Sequence, residues 1–173
     1  MKKVIVGLFC AVTMFVSTYA ADTNSTSLFN AKEFGLSLGS GYTVDRAAAF
    51  QQPYAVNVNA GAFWFPWRNL GVEANVPFMS TKGVSVQEVA FDVVLRLPLS
   101  KSTPVLKNIA PYIAAGGVYN WQTQENWAYV GKAGVELRLN KKVGFFVEGQ
   151  YRNVDFDWGQ GQTSHNGGIR LVF

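Results

Sequence analysis

The chain has 173 residues, room for one ordinary domain, and 15 Lys or Arg against 11 Asp or Glu leave a formal charge of only +4. That bias is too weak to argue for nucleic acid as a partner. The only cysteine, Cys10, excludes a disulfide framework and a thiolate metal site.

The first element is "MKKVIVGLFCAVTMFVSTYA", in which Lys2 and Lys3 precede an apolar run from Val4 to Val16 and small residues close the segment at Thr18 and Ala20. That order predicts a secretory signal peptide over 1–20, cleaved after Ala20. The run is short for a membrane helix. Phe9 is too bulky to precede a lipid-modified Cys10. Cleavage would leave 153 residues with no cysteine, and with 13 basic residues facing 11 acidic ones. Beyond the signal there is no apolar run long enough for a transmembrane helix, and no heptad, repeat or linker.

A polar lead-in, 21–32, comes next. After it, segments of two-residue alternation predict strands from Glu33 to Val44, Tyr54 to Phe65, Leu70 to Phe78, Val84 to Leu99, Pro111 to Asn120, Trp127 to Leu139, Val143 to Val154 and Thr163 to Phe173. Most are about ten residues long, the length a tilted strand needs to cross a hydrocarbon layer. The fifth, "YIAAGGVY", alternates in neither phase, and Val84 and Val86 are out of step with the fourth.

The apolar residues sort each strand into two faces. One carries Phe34, Leu36, Leu38, Tyr42, Val56, Val58, Trp64, Val72, Phe91, Val93, Leu137, Phe145 and Val147. The other carries Glu33, Glu73, Glu88, Asp92, Arg96, Lys132, Glu136, Arg138, Glu148, Arg152 and Arg170, six acids and five bases, and none of these shares a face with the apolar set. A soluble sandwich would turn the charges to water. It would then leave Gly35, Gly39, Gly41, Gly61, Gly71, Gly134 and Gly144 on the solvent side, where nothing calls for them. In a closed eight-stranded barrel the interior is barely wide enough for side chains, so glycines beside long paired charges are what packing requires. A charge on a lipid-facing wall would cost about 2–4 kcal/mol at mid-membrane. Aromatics also gather at strand ends, as in interface girdles: Tyr42, Tyr54, Trp64, Trp67, Phe78, Trp127, Tyr129, Tyr151 and Phe173. The expectation is therefore an all-β chain whose residues 33–173 form a closed, eight-stranded antiparallel transmembrane β-barrel with a side-chain-filled polar interior.

With "LGVEANVPF", "APYIAAGGVY", "VGKAGVELRLNKKVGFFVEGQYR" and the terminal "GGIRLVF", the chain after its signal resembles the small eight-stranded outer-membrane β-barrels of Gram-negative bacteria, the broad OmpA/OmpX-like, porin-like superfamily. The resemblance implies integral residence in the bacterial outer membrane, as a monomer in contact with membrane lipid and lipopolysaccharide. It also implies handling by periplasmic chaperones and the barrel-assembly machinery. In that family the machinery reads a C-terminal aromatic with apolar residues at alternate positions, a signal matched by Ile169, Leu171 and Phe173. Members include structural anchors, adhesins, small-solute pores and lipid A-modifying enzymes, so the fold does not choose among activities. An even strand number puts turns 66–69 and 140–142 on the periplasmic side. The loops near 45–53, 79–83, 121–126 and 155–162 then lie outside, and they are short for an adhesin. Segment 100–110 is long for a periplasmic turn.

Chemistry is sparse. His165 is the only histidine, and the phase of its strand points it outward with Thr163 and away from Ser164. Lipid-deacylating barrels space their serine and histidine two apart, which "TSHNGG" does not. "DFDWGQG" starts like a calcium loop but lacks the later carboxylates, and "GLSLGSGY" lacks the strand–loop–helix setting of a nucleotide site. Neither a metal, a cofactor nor a catalytic residue is expected. The interior network of Glu73, Glu88, Asp92, Arg96, Lys132, Glu136, Arg138, Glu148, Arg152 and Arg170 either plugs the barrel or lines a narrow polar path. The functional expectation is a non-enzymatic surface protein with a structural or interaction role and an unidentified surface ligand. A narrow pore for ions or small solutes is the alternative, and a lipid A-modifying enzyme a third.

Overall fold

The computed structural model describes residues 28–45, 54–79, 88–99, 106–121, 126–153 and 161–173. The expected signal peptide, most of the expected outer loops and the calcium-like stretch up to Gln160 lie outside them. Eight strands run in order: β1 (Glu33–Asp45), β2 (Tyr54–Phe65), β3 (Leu70–Met79), β4 (Glu88–Arg96), β5 (Ile109–Asn120), β6 (Asn126–Arg138), β7 (Val143–Asn153) and β8 (Gln162–Val172). Each pairs antiparallel with its neighbours in sequence, and β1 pairs with β8, so the sheet is a closed barrel with no free edge.

The register sets the barrel's dimensions. Followed from partner to partner, Phe34 leads through Trp64, Val72, Val93, Ala115, Gly131, Tyr151 and Thr163 back to β1 at Val44. The circuit thus closes ten residues further along β1. With a rise of about 3.3 Å per residue and strands about 4.8 Å apart, eight strands at that stagger tilt by roughly 40° and enclose a backbone radius of about 8 Å. The barrel wall is then roughly 25 Å tall, and the lumen has room for side chains but for no element of secondary structure.

Which face turns inward follows from the side chains. Among the described residues no Asp, Glu, Lys or Arg of a strand points outward. The outer wall instead exposes Leu38, Val56, Phe91, Val93, Ile113, Val135 and Val147. Phe34, Trp64, Trp67 and Phe173 border this band at the end carrying the short turns, and Tyr42, Trp127 and Tyr129 border it at the loop end. The side chains of Val44, Tyr54 and Phe78 lie outside the described set.

The strand limits depart from the sequence expectation in instructive places. The fourth strand ends at Arg96 rather than Leu99, because Pro98 has no N–H to continue the ladder. The backbone still runs alongside β5, with Leu97 N donating to Pro111 O at 2.8 Å and Leu99 N to Ile109 O at 3.0 Å. β5 accordingly starts at Ile109 and the long connection before it holds a short 3₁₀ turn, Leu106–Asn108. The missing alternation of the fifth strand has a simple cause. Tyr112, Ala114 and Val118 are buried inside while Ile113 and Ala115 face out, so both faces of β5 are apolar or small.

Candidate functional site

The lumen is built from the turn end upward. At that end the lead-in bends back, with Lys32 in the left-handed region at φ 61°. Few side chains adopt that conformation without a compensating contact. Here Asn30 N donates to Glu33 Oε1 at 2.7 Å, and the bend delivers Phe29 into the barrel mouth, 1% exposed. Arg96 and Arg138 place their guanidinium groups 5.1 and 4.9 Å from the Phe29 ring, and Arg96 also lies 3.8 Å over Phe65. Arg96 donates to the backbone oxygens of Arg68 and Asn30, at 2.7 and 2.9 Å, which ties the β2–β3 turn and the lead-in to one side chain.

Above this lid runs one continuous network. Glu33 pairs with Arg96 at 2.7 Å and Arg138 at 3.2 Å, and Arg138 also pairs with Glu136 two residues before it. Glu136 then holds Arg170 at 2.7 Å, and Arg170 reaches Glu73 at 2.9 Å. Every member is at most 6% exposed, and the three guanidinium residues at most 1%. Arg170 additionally sits 5.0–5.3 Å from the rings of Phe63, Tyr112 and Phe146. Such a network opposes a large desolvation cost with ion pairs, hydrogen bonds and ring faces together, so removing one partner leaves a buried charge exposed to that cost.

Midway up the lumen Lys132 pairs with Asp92 at 2.5 Å, and Glu73 and Glu148 lie within electrostatic range of its ammonium. Glu148 accepts from the Tyr112 hydroxyl at 2.7 Å and from Asn166 Nδ2 at 3.4 Å. Asn75 donates in the same way to Glu73 at 3.0 Å. The inward glycines make room for these amides. A Cβ at Gly39 would lie 2.6 Å from Asn59 Oδ1 and 2.9 Å from the Phe146 ring. Near the loop end, Arg152 and Glu88 form a separate pair at 2.6 Å that is 14–17% exposed, with Asn120 donating to Glu88 at 3.3 Å.

The ten charged residues picked from the sequence thus lie inside the barrel, but in three groups. Glu73, Arg96, Glu136, Arg138 and Arg170 form the lower network, joined by Glu33. Asp92, Lys132 and Glu148 form the middle group, and Glu88 and Arg152 the upper one. Missing from the sequence expectation are the interior aromatics Phe29, Phe63, Phe65, Tyr112 and Phe146. The available signal was an aromatic opposite in phase to its own strand's outer face, or, for Phe29, a lone ring in a polar lead-in. The terminal residues Ile169, Leu171 and Phe173 face outward on or just beyond β8, where Phe173 N donates to Phe34 O at 2.8 Å. His165 is outward too, 5.1 Å from the Tyr42 ring, while Ser164 is buried on the opposite face of the strand. Among the described residues no group of three His, Cys, Asp or Glu is arranged to hold a metal.

No protein-family model matches the chain, and no curated protein matches it in sequence. Its fold does match solved structures. The attachment invasion locus protein Ail of Yersinia pestis aligns over 83% of this chain and 99% of its own, with a TM-score of 0.59 and 10% identity. The N-terminal β-barrel domain of Pseudomonas aeruginosa OprF aligns over the same shares, with a TM-score of 0.58 and 11% identity. Neisserial surface protein A covers 82% of this chain and 97% of its own, at 0.57 and 9%. At such identities the likeness is one of fold: that of the small eight-stranded outer-membrane barrels.

Proposed function

We propose that this chain is an integral protein of a bacterial outer membrane, non-catalytic, with a structural or surface-interaction role. The observation that carries this reading is the inverted distribution of polarity: a continuous apolar wall outside, and a lumen closed at one end by Phe29 and the buried network of Glu33, Arg96, Glu136, Arg138 and Arg170. A wall of that kind gains its stability in lipid, where every backbone group of a closed barrel is already satisfied. The fold shared with outer-membrane barrels supports the location. Outward Ile169, Leu171 and Phe173 would serve as the recognition strand for barrel assembly, and lipid with lipopolysaccharide would surround the wall. A surface ligand, in this reading, meets the loop end.

The experiment is ion conductance of the refolded 21–173 chain in a planar bilayer, with gel mobility establishing that the protein is folded. A silent membrane is the expected result. Stable single-channel steps altered by Arg96→Ala and Glu136→Ala would instead make the narrow-pore reading primary, an alternative favoured by the polar side chains running the length of the lumen. Deacylated lipid A in cells making the protein, abolished by His165→Ala, would overturn the non-catalytic reading.

A further inference from the structure

The charges outside the lumen are divided unevenly between the two ends of the barrel. The connections at the turn end, 66–69, 97–108 and 140–142, hold Arg68, Lys101, Lys107, Lys141 and Lys142 and no Asp or Glu. Lys32 adds a further base there, exposed, while Glu33 beside it turns into the lumen to pair with Arg96 and Arg138. The connections at the loop end instead hold Glu125, Asp155 and Asp157 against Arg46 and Lys82. A second observation concerns the wall above the basic end. A groove of about 450 Å³ is cut into it, floored by Ala62, Ala74 and Ala115, banked by Phe34, Trp64 and Phe91, and almost wholly apolar. The register builds it: Ala62 pairs with Ala74 and Ala74 with Phe91, while Phe34 pairs with Trp64 at the turn-end lip. Lys32 precedes Glu33, the register partner of Phe65, and Arg68 lies in the turn three residues past Phe65, so both bases stand at the foot of the groove.

An empty groove in a lipid-facing wall loses the contacts its lining could make, and in hydrocarbon the chain at hand to fill it is an acyl chain. Bases at its foot, next to the exposed ring of Trp67, add an attraction for negative headgroups that acts within about a Debye length. We propose that this part of the wall holds an anionic phospholipid, with one acyl chain in the alanine groove and the headgroup against Lys32 and Arg68. A zwitterionic phospholipid offers the same chain but no net charge to the two bases. The groove meets the interface at the basic end, and the opposite end carries acids, so the lipid comes from the leaflet at the turn end. The inference rests on the membrane location proposed above and names the lipid class that this leaflet supplies.

The test is native mass spectrometry of the refolded 21–173 chain, released from micelles that contain phosphatidylglycerol and phosphatidylcholine of the same acyl chains in equal amounts. One phosphatidylglycerol should be retained in about tenfold excess over phosphatidylcholine, the preference that two bases supply after screening. Lys32→Gln combined with Arg68→Gln should bring that ratio close to one. Lys141→Gln combined with Lys142→Gln, in the β6–β7 turn, removes the same charge away from the groove and should leave the preference in place. Ala74→Phe, which fills the groove, should lower retention of both lipids. Gel mobility establishes that each variant is folded, and the Lys32 and Arg68 changes, both outside the strands, carry the test if Ala74→Phe is not. Equal retention of the two lipids by the unaltered chain would overturn the proposal, as would a preference that survives the loss of Lys32 and Arg68. So would a two-chain mass that Ala74→Phe splits, since a second copy would then fill the groove. Failure of the unaltered chain to fold into zwitterionic vesicles, read on the same gels, would overturn the membrane location itself and the inference with it.

Discussion

The two halves of the lumen solve the same packing problem with different chemistry. The turn-end half is aromatic and ionic: Phe29, Phe63, Phe65, Tyr112 and Phe146 lie against three arginines, and its polar groups are almost fully buried. The loop-end half is lined by glycines, alanines and amides, and the one ion pair there among the described residues, Glu88–Arg152, retains contact with solvent. An ion pair deep in the first half has no water to replace a lost partner, whereas one in the second does. The comparison teaches that counting interior charges says little until their depth is known.

Breaking the lower half should have the largest effect. Arg170→Met strands Glu73 and takes one of two arginines from Glu136, and the refolded protein should lose about 3–5 kcal/mol by denaturant titration in micelles. A loss under about 1 kcal/mol would mean that water reaches those carboxylates. Next comes Gly134→Ala, whose Cβ would lie 2.6 Å from both the Tyr112 ring and Val147 O, costing about 1–3 kcal/mol by the same titration. Arg152→Met, in the upper half, should cost less than about 1 kcal/mol, and that small difference should fade further in high salt. The smallest change belongs to Gly131→Ala on the outer wall, where no atom lies within 4 Å of the new Cβ. Its effect should stay within about 0.5 kcal/mol, and a larger loss would mean that the wall is more tightly packed there than the register implies.

Most of the wall was legible in the sequence because its cause is local. Strands such as Tyr54–Phe65 and Val143–Asn153 put one kind of side chain on alternate positions, and the period alone separates the faces. The reading weakened where that cause was absent. β5 has small or apolar residues on both faces, so its phase could be found only from its partners, Glu88–Arg96 on one side and Asn126–Arg138 on the other. Phe63 and Phe65 were overlooked for a related reason: an apolar side chain in the inward phase looks like noise until a guanidinium is found against its ring.

The sequence by itself determined that the chain is a barrel of eight strands, which residues face outward on the strands other than β5, and that the strand charges point inward, since all three follow from a two-residue period and a turn composition. The tertiary structure alone decided the stagger of ten residues, the pairing partners, and the fold-back of Phe29 over the barrel mouth. The physical reason is that an ion pair such as Arg170–Glu73 joins residues 97 apart in sequence. No local pattern carries that distance. It exists only once eight neighbours have agreed on a register.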